Sequence, residues 1–169
     1  MLKLTKKSDY GLIALRHLAA EPRRSAATAK EIAEVYKIPV PILAKVLQAL
    51  VRNRFLISEQ GATGGYKLAR DPRTISTLEV IRAIDGPVFL ASCFHDQEVC
   101  DQHDTCTVKE PLRKVHEGIQ RLLASISISD LSSDVMEIPE PAARRDPRED
   151  MVWPIQKAKA ESTESANTL

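Results

Sequence analysis

Three of the residues best suited to chemistry stand close together: Cys93, Cys100 and Cys106, the only cysteines of the chain. An odd number of thiols does not make a disulfide framework. The spacing Cys-x6-Cys-x5-Cys also lacks the short hook between paired ligands that structural zinc sites use. Wide loops between thiolates suit a larger object whose metal ions stand apart, namely an iron–sulfur cluster. A purely thiol-based redox switch is the alternative. Three thiolates leave a two-iron cluster one ligand short. His95, His103, His116 and Asp9 are the candidates for the fourth. A non-thiolate ligand makes such a cluster more labile, which suits sensing rather than electron transfer.

The second chemical feature is charge. The 169 residues carry a net charge of +1. Residues 1–85, however, hold 15 Lys+Arg against 8 Asp+Glu, whereas residues 86–169 hold 9 against 15. A basic half beside an acidic half implies that the first half meets a polyanion. No nucleophile–base constellation or phosphate-loop motif is present, so the reading is a non-enzyme with no small-molecule substrate. The apolar fraction of 43% and charged fraction of 28% are those of a soluble globular chain. No apolar run is long enough to span a membrane, and the N-terminus lacks the apolar core of a secretory signal. A cytoplasmic location is expected.

The elements that must position these residues follow from periodicity. Ser8 is expected to cap a helix from about residue 9 to 20, with Leu12, Leu15 and Ala19 at helical spacing. Thr28-Ala29-Lys30-Glu31 has the form of a capping box and opens a short helix carrying Ile32, Ala33 and Tyr36. Ile38-Pro39-Val40 forms a turn. Pro41 suits the first turn of the next helix, where its missing N–H costs nothing. That helix runs to about residue 53 and buries Leu43, Val46, Leu47, Leu50 and Val51.

Residues 55–59 and 66–70 read as two strands joined by a glycine-rich loop. A helix-turn-helix followed at once by such a hairpin is a winged helix. Ser76-Thr77-Leu78-Glu79 is a second capping box, opening a helix that Asp85-Gly86-Pro87 stops. Val88-Phe89-Leu90 reads as a short strand or an extended link. Thr107-Val108-Lys109-Glu110 is a third capping box. It opens a helix of roughly 20 residues whose Leu112, Val115, Ile119, Leu122 and Ile126 step by three and four. Such a seam seeks a partner helix, so a homodimer is expected.

The fold class is therefore mainly α with a small β-hairpin wing. A winged helix-turn-helix occupies residues 1–87, a cysteine loop residues 88–107, and a long dimerisation helix residues 108–131. The proline-punctuated, charged stretch 139–169 is expected to be disordered.

For DNA, the second helix of the motif belongs in the major groove. Its N-terminal readers are Val40, Pro41, Ile42, Ala44 and Lys45. Apolar side chains meet thymine methyls there, and Lys45 is the one donor. Affinity must then come largely from phosphates, with Lys3, Lys6, Lys7, Lys30, Lys37, Arg52, Arg54 and Lys67 as candidates. The wing residues Gln60, Gly61, Thr63, Gly64, Gly65 and Tyr66 complete the proposed surface, its glycines allowing positive φ and close approach to a phosphate.

Over residues 1–131 the chain resembles the small bacterial winged-helix iron–sulfur transcriptional regulators of the IscR/NsrR type. The resemblance rests on Leu4-Thr5…Asp9-Tyr10-Gly11, Ala29-Lys30-Glu31-Ile32-Ala33 and Leu43…Val46-Leu47…Leu50. It continues through Gly61-Ala62-Thr63-Gly64-Gly65-Tyr66-Lys67-Leu68, Leu78-Glu79-Val80-Ile81…Ile84-Asp85-Gly86-Pro87 and the three cysteines. Gly86-Pro87-Val88-Phe89-Leu90 and the six-residue loop after Cys93 are similar to the branch that regulates the SUF cluster-assembly operon.

The resemblance implies a homodimer on palindromic promoter DNA. It also implies a cluster, 2Fe–2S ahead of 4Fe–4S, held by Cys93, Cys100, Cys106 and one further residue. Repression of iron–sulfur assembly genes, in response to cluster status, oxidants or nitric oxide, is the implied role. Where IscR-like members place a ligating histidine, this chain has Lys109. Asp9 aligns with the aspartate that ligates in NsrR-like members and is the favoured fourth ligand. Ala44 and Gln60 stand where IscR-like members carry a discriminating glutamate and a wing arginine, so no operator sequence transfers. A cluster-free thiol-based or partner-controlled repressor is the alternative within regulation. An iron–sulfur carrier is the alternative outside it.

Overall fold

A computed structural model describes residues 4–20, 26–61, 64–91, 94, 102 and 105–132. All lie in one compact unit, Met1–Met136; the second unit, Glu137–Leu169, falls outside the described residues, as does the expected disorder of 139–169. The order of elements is α1 (Lys6–Ala20), α2 (Ala29–Tyr36), α3 (Val40–Arg52), β1 (Leu56–Glu59), β2 (Gly65–Leu68), α4 (Thr77–Asp85) and α5 (Lys109–Ser125). Short 3-10 turns occupy Pro72–Thr74 and Asp130–Ser132.

Two of the three expected capping boxes form. Thr28 accepts from the Glu31 amide while the Glu31 carboxylate accepts from the Thr28 amide, and Ser76 and Glu79 do the same for α4. The third does not. Val108 is the N-cap of α5 and has no side-chain acceptor to offer, and Glu110 turns forward along the helix to Arg113. Ser8 is not a cap either. Helix α1 starts at Lys6, and Thr5 caps it, its hydroxyl accepting the Ser8 amide at 3.3 Å. Ser8 instead lies fully buried inside the first turn. Residues 88–90 form no strand, and the chain bends at Leu90.

The core gathers one face of each helix. Leu15, Ile32, Leu43, Leu47, Leu50, Leu56, Ile75 and Val80 are fully or almost fully excluded from water. Each such side chain contributes about 1.5–3 kcal/mol by burial. Helix α1 packs on α3 and α4, and α2 on α3. The hairpin pairs Leu56 with Leu68 and Glu59 with Gly65, antiparallel. Ala27, ahead of α2, bridges to Tyr66 and fastens the hairpin to the helices.

The chain after α5 returns to this core, which the sequence pattern does not disclose. Helix α5 ends at Ser125, so Ile126 lies beyond the helix rather than closing its seam. The Ile126 carbonyl accepts from the Thr77 amide at 2.8 Å and the Thr77 hydroxyl at 2.9 Å. Ile128 is fully buried, and Arg16 donates to the Leu131 carbonyl at 2.7 Å.

Candidate nucleic-acid interface and cysteine segment

Helix α3 has two faces with different tasks. Leu43, Val46, Leu47 and Leu50 hold it in the core. At its start Val40 and Ile42 are 43% and 42% exposed, with Pro41 and Lys45 also outside and Ala44 half-buried. Together they form an apolar patch that faces water at the open start of the helix. Pro39 and Pro41 fix the entry, and the Pro39 carbonyl accepts the Ile42 and Leu43 amides at 3.1 Å. A groove of about 500 Å³ runs between α1 and α3. Ile42 and Ala49 line its apolar part, and Lys6, Lys7, Lys45 and Arg52 surround it.

Several cations away from α3 are paired: Lys67 with Glu59 across the hairpin, Arg70 with Glu79, Arg73 with Asp71, Arg113 with Glu110 and Glu117. Lys30 reaches Glu34 at 3.9 Å on α2, fully in water. Around α3, Lys6, Lys7, Lys37, Lys45, Arg52 and Arg54 have no acidic partner among the described residues. Unpaired cations beside a helix with open apolar readers form a surface suited to a phosphate-lined groove. Of the sequence candidates, Lys67 is paired with a carboxylate, whereas the contact of Lys30 with Glu34 is a weak surface pair. Lys3 and Thr63 lie outside the described residues.

The wing glycines have a second physical role. Only Gly61 among the wing glycines combines positive φ (117°) with open space around it. A Cβ on Gly64 would meet the Glu59 carbonyl oxygen at 2.5 Å, and one on Gly65 the Ala27 backbone at 2.7–2.8 Å. The backbone approach they permit is therefore to the protein itself. Tyr66 exchanges amide–carbonyl bonds with Ala27 at 2.8 and 3.1 Å and leans on the core. Gln60 is exposed at the hairpin end.

The start of the cysteine segment is tied down by two polar assemblies that no local sequence pattern discloses. In the first, Asp85 closes α4, with its carboxylate accepting from the Thr5 hydroxyl at 2.7 and 2.9 Å and from the buried Ser8 hydroxyl at 2.6 Å. A carboxylate at a helix C-terminus opposes the helix dipole, and these two hydroxyls offset that cost. In the second, His116 on α5 lies between Phe89 and Phe94, with ring centroids 6.2 and 5.3 Å away. Arg82 donates to the Gln120 side-chain oxygen, which fixes the amide; its nitrogen then donates to the Val88 carbonyl at 3.2 Å and to His116 Nε2 at 2.9 Å. His116 Nε2 is thereby an acceptor already in use.

Cys106 is a free, half-buried thiol just before α5. Asp9 is exposed on α1 and its carboxylate has no partner among the described residues. Cys93, Cys100, His95 and His103 lie outside the described residues, so the structure does not bring a complete ligand set together. Three thiols on one short stretch, with a free carboxylate available, are nevertheless a donor set of the kind iron–sulfur clusters take. One further group stands out: His17 is buried, its Nδ1 3.4 Å from the Tyr36 hydroxyl and its Nε2 without a partner among the described residues.

Residues 4–134 match the model of the Rrf2 family, described as an iron-dependent transcriptional regulator. The HTH-type transcriptional regulator NsrR of Shouchella clausii is 28% identical over 131 residues, covering 77% of this chain and 88% of that protein. Among solved structures, CymR, the global cysteine regulator of B. subtilis, is 26% identical with a TM-score of 0.69, covering 80% of this chain and 99% of its own. The IscR of T. potens is 29% identical with a TM-score of 0.63, covering 85% of this chain and 94% of its own.

Proposed function

The chain belongs to the Rrf2 family of transcriptional regulators, and from that premise we propose that it is a homodimeric repressor of iron–sulfur assembly genes governed by a labile cluster. The family regulates transcription through DNA rather than catalysing a reaction. No described helix is long and apolar enough to cross a membrane. The observation that carries the DNA part is the face of α3: exposed Val40, Pro41 and Ile42 with Lys45, bordered by cations without acidic partners. In the proposed complex these four read base edges. Lys6, at the N-terminus of α1, grips a phosphate with the help of the helix dipole, and Gln60, Gly61, Thr63 and Gly64 follow the adjoining backbone.

For the sensor, Cys93, Cys100 and Cys106 would hold a 2Fe–2S cluster, with Asp9 as the fourth ligand. The NsrR and IscR relatives support this reading, and so does the free state of Cys106 and Asp9. When bound, the cluster supplies an oxidant-sensitive, thiolate-held group. The protein's own part is positional. Phe94, next to Cys93, is held on His116; Val88 is held by Gln120; and Asp85 ties the start of the segment to α1, which packs on α3. A change at the cysteines therefore has a packed route to the reading helix.

A second reading is favoured by one finding, the likeness to CymR, named a global cysteine regulator. In it the three thiols act without iron, or a partner protein controls the repressor. The two readings part in one experiment: anaerobic purification, a visible absorption spectrum, and iron and sulfide assays per chain. Charge-transfer absorption near 400 nm with equal iron and sulfide is the expected result. Protein that remains colourless and iron-free after reconstitution overturns the cluster and leaves the thiol reading. Equal operator affinity with and without the cluster overturns its regulatory role.

A further inference from the structure

Two residues other than glycine adopt positive φ among the described residues: Lys37, at φ 53°, and Arg54, at φ 60°. Both lie at the end of a helix of the DNA-reading motif, Lys37 directly after α2 and Arg54 one residue beyond Asn53, the cap of α3. Lys37 follows α2, and the amides of Lys37 and Ile38 both return to the Ala33 carbonyl. Arg54 follows α3, its amide donating to the Val51 carbonyl at 3.0 Å and the Phe55 amide to the Leu50 carbonyl at 3.0 Å. These are left-handed helix ends, seats that glycine fills without strain and that any Cβ makes costly. A sequence selected for stability alone puts glycine or asparagine there. This chain puts a long cation in both.

Neither cation is used by the fold. Both are exposed, and neither has an ion pair or side-chain hydrogen bond among the described residues. They also bracket α3. Its 13 residues span about 20 Å, more than the roughly 12 Å width of the B-DNA major groove. A helix set in that groove carries cations at its two ends toward the two flanking phosphate backbones. The reading end itself, Val40, Pro41 and Ile42, offers no phosphate grip.

We propose that Lys37 and Arg54 form a phosphate clamp across the two ends of α3, and that the strain of their backbone seats is tolerated for that contact. The inference rests on the DNA reading above and deepens it. The clamp is indifferent to base sequence, so it acts on any duplex.

The test exploits the seats themselves. Lys37→Gly and Arg54→Gly relieve the backbone and remove only the side chain; Lys37→Asn and Arg54→Asn, which also suit the left-handed region, give a second pair. Arg113→Gln, on α5, controls for loss of any positive charge. The probe is a fluorescent duplex of about 30 base pairs and mixed sequence, followed by anisotropy from about 50 to 200 mM salt. The clamp predicts that each variant keeps or raises Tm while binding weakens about three- to tenfold at low salt. The slope of log K against log salt should fall by about one per cation removed, and Arg113→Gln should match wild type. Variants that bind with wild-type affinity and slope overturn the clamp and leave the DNA reading intact. An equal loss in Arg113→Gln overturns it as well. A wild-type chain that leaves the anisotropy unmoved at the lowest salt overturns the DNA reading and the clamp together.

Discussion

Asp85 shows how much structure one side chain can carry. It accepts from two hydroxyls, that of Thr5 shared between both its oxygens and that of the fully buried Ser8. Ser8→Ala removes one donor from a carboxylate that water still reaches, which costs about 0.5–1.5 kcal/mol. Asp85→Ala removes the acceptor and strands the buried Ser8 hydroxyl, so its loss of stability should be at least as large. Urea titration measures both, and an unchanged midpoint for Ser8→Ala would show the lock to be energetically idle. Acid sensitivity has its own residues. The Ser76 amide, first among the causes, holds Glu79 below its usual carboxylate range, and the Ser127 amide does the same for Asp130. Folding binds these groups in their charged form, so their contribution is complete above the unfolded pKa and is lost as pH falls through the lower folded value. Both groups are near water, and screening keeps each effect small. Tm followed from pH 7 to 3 should fall more steeply in wild type than in Glu79→Gln, and parallel curves would remove Glu79 from the account.

At the scale of elements, the wing is fastened by a backbone contact rather than by side chains. A methyl on Gly65 would enter the Ala27 backbone, so Gly65→Ala must move β2 away from the Ala27 bridge. The expected loss is about 1–3 kcal/mol, with faster amide exchange at Ala27 and Tyr66. Gly11→Ala faces the far end of the flexible Ile84 side chain and should cost less. This contact also explains what was legible from sequence. Helices α2, α3 and α4 were readable because their caps and apolar periods are local: Thr28 with Glu31, Pro41, Ser76 with Glu79. The start of α1 was misread because Ser8 and Thr5 look alike as caps, and the choice between them is made by Asp85, a long way along the chain. Thr107 is no cap because α5 starts one residue later than the box requires, with Val108 in the cap position. The glycine cluster was visible, but its partner was Ala27, which no local pattern names. The cysteines were visible by type, whereas the stacking of Phe89 and Phe94 on His116 depends on the return of α5.

The whole molecule poses the question of what covers α5. Helix α5 has no fully buried residue. Along it Val108, Val115 and Leu122 recur every seven residues at 55%, 51% and 39% exposure, while Leu112 and Ile119 between them are half-buried. The expected seam is thus divided: one row leans toward the chain's own body, and the other stands open. An open row at heptad spacing is what a two-stranded contact needs, and it is the part of the seam that a second copy can still bury. If the proposed homodimer forms there, Val115→Glu with Leu122→Glu places charge in the contact without touching the core. Light scattering after size exclusion should then give a monomer, with the helical circular dichroism of wild type. Such a monomer keeps one reading head, so it should hold a single half-site as wild type does. On a two-half-site operator it should lose on the order of 100-fold in affinity, because the second head no longer arrives at high effective concentration. A double variant that remains dimeric would move the interface off this row. A monomer that binds the full operator undiminished would show that pairing through α5 plays no part in DNA recognition.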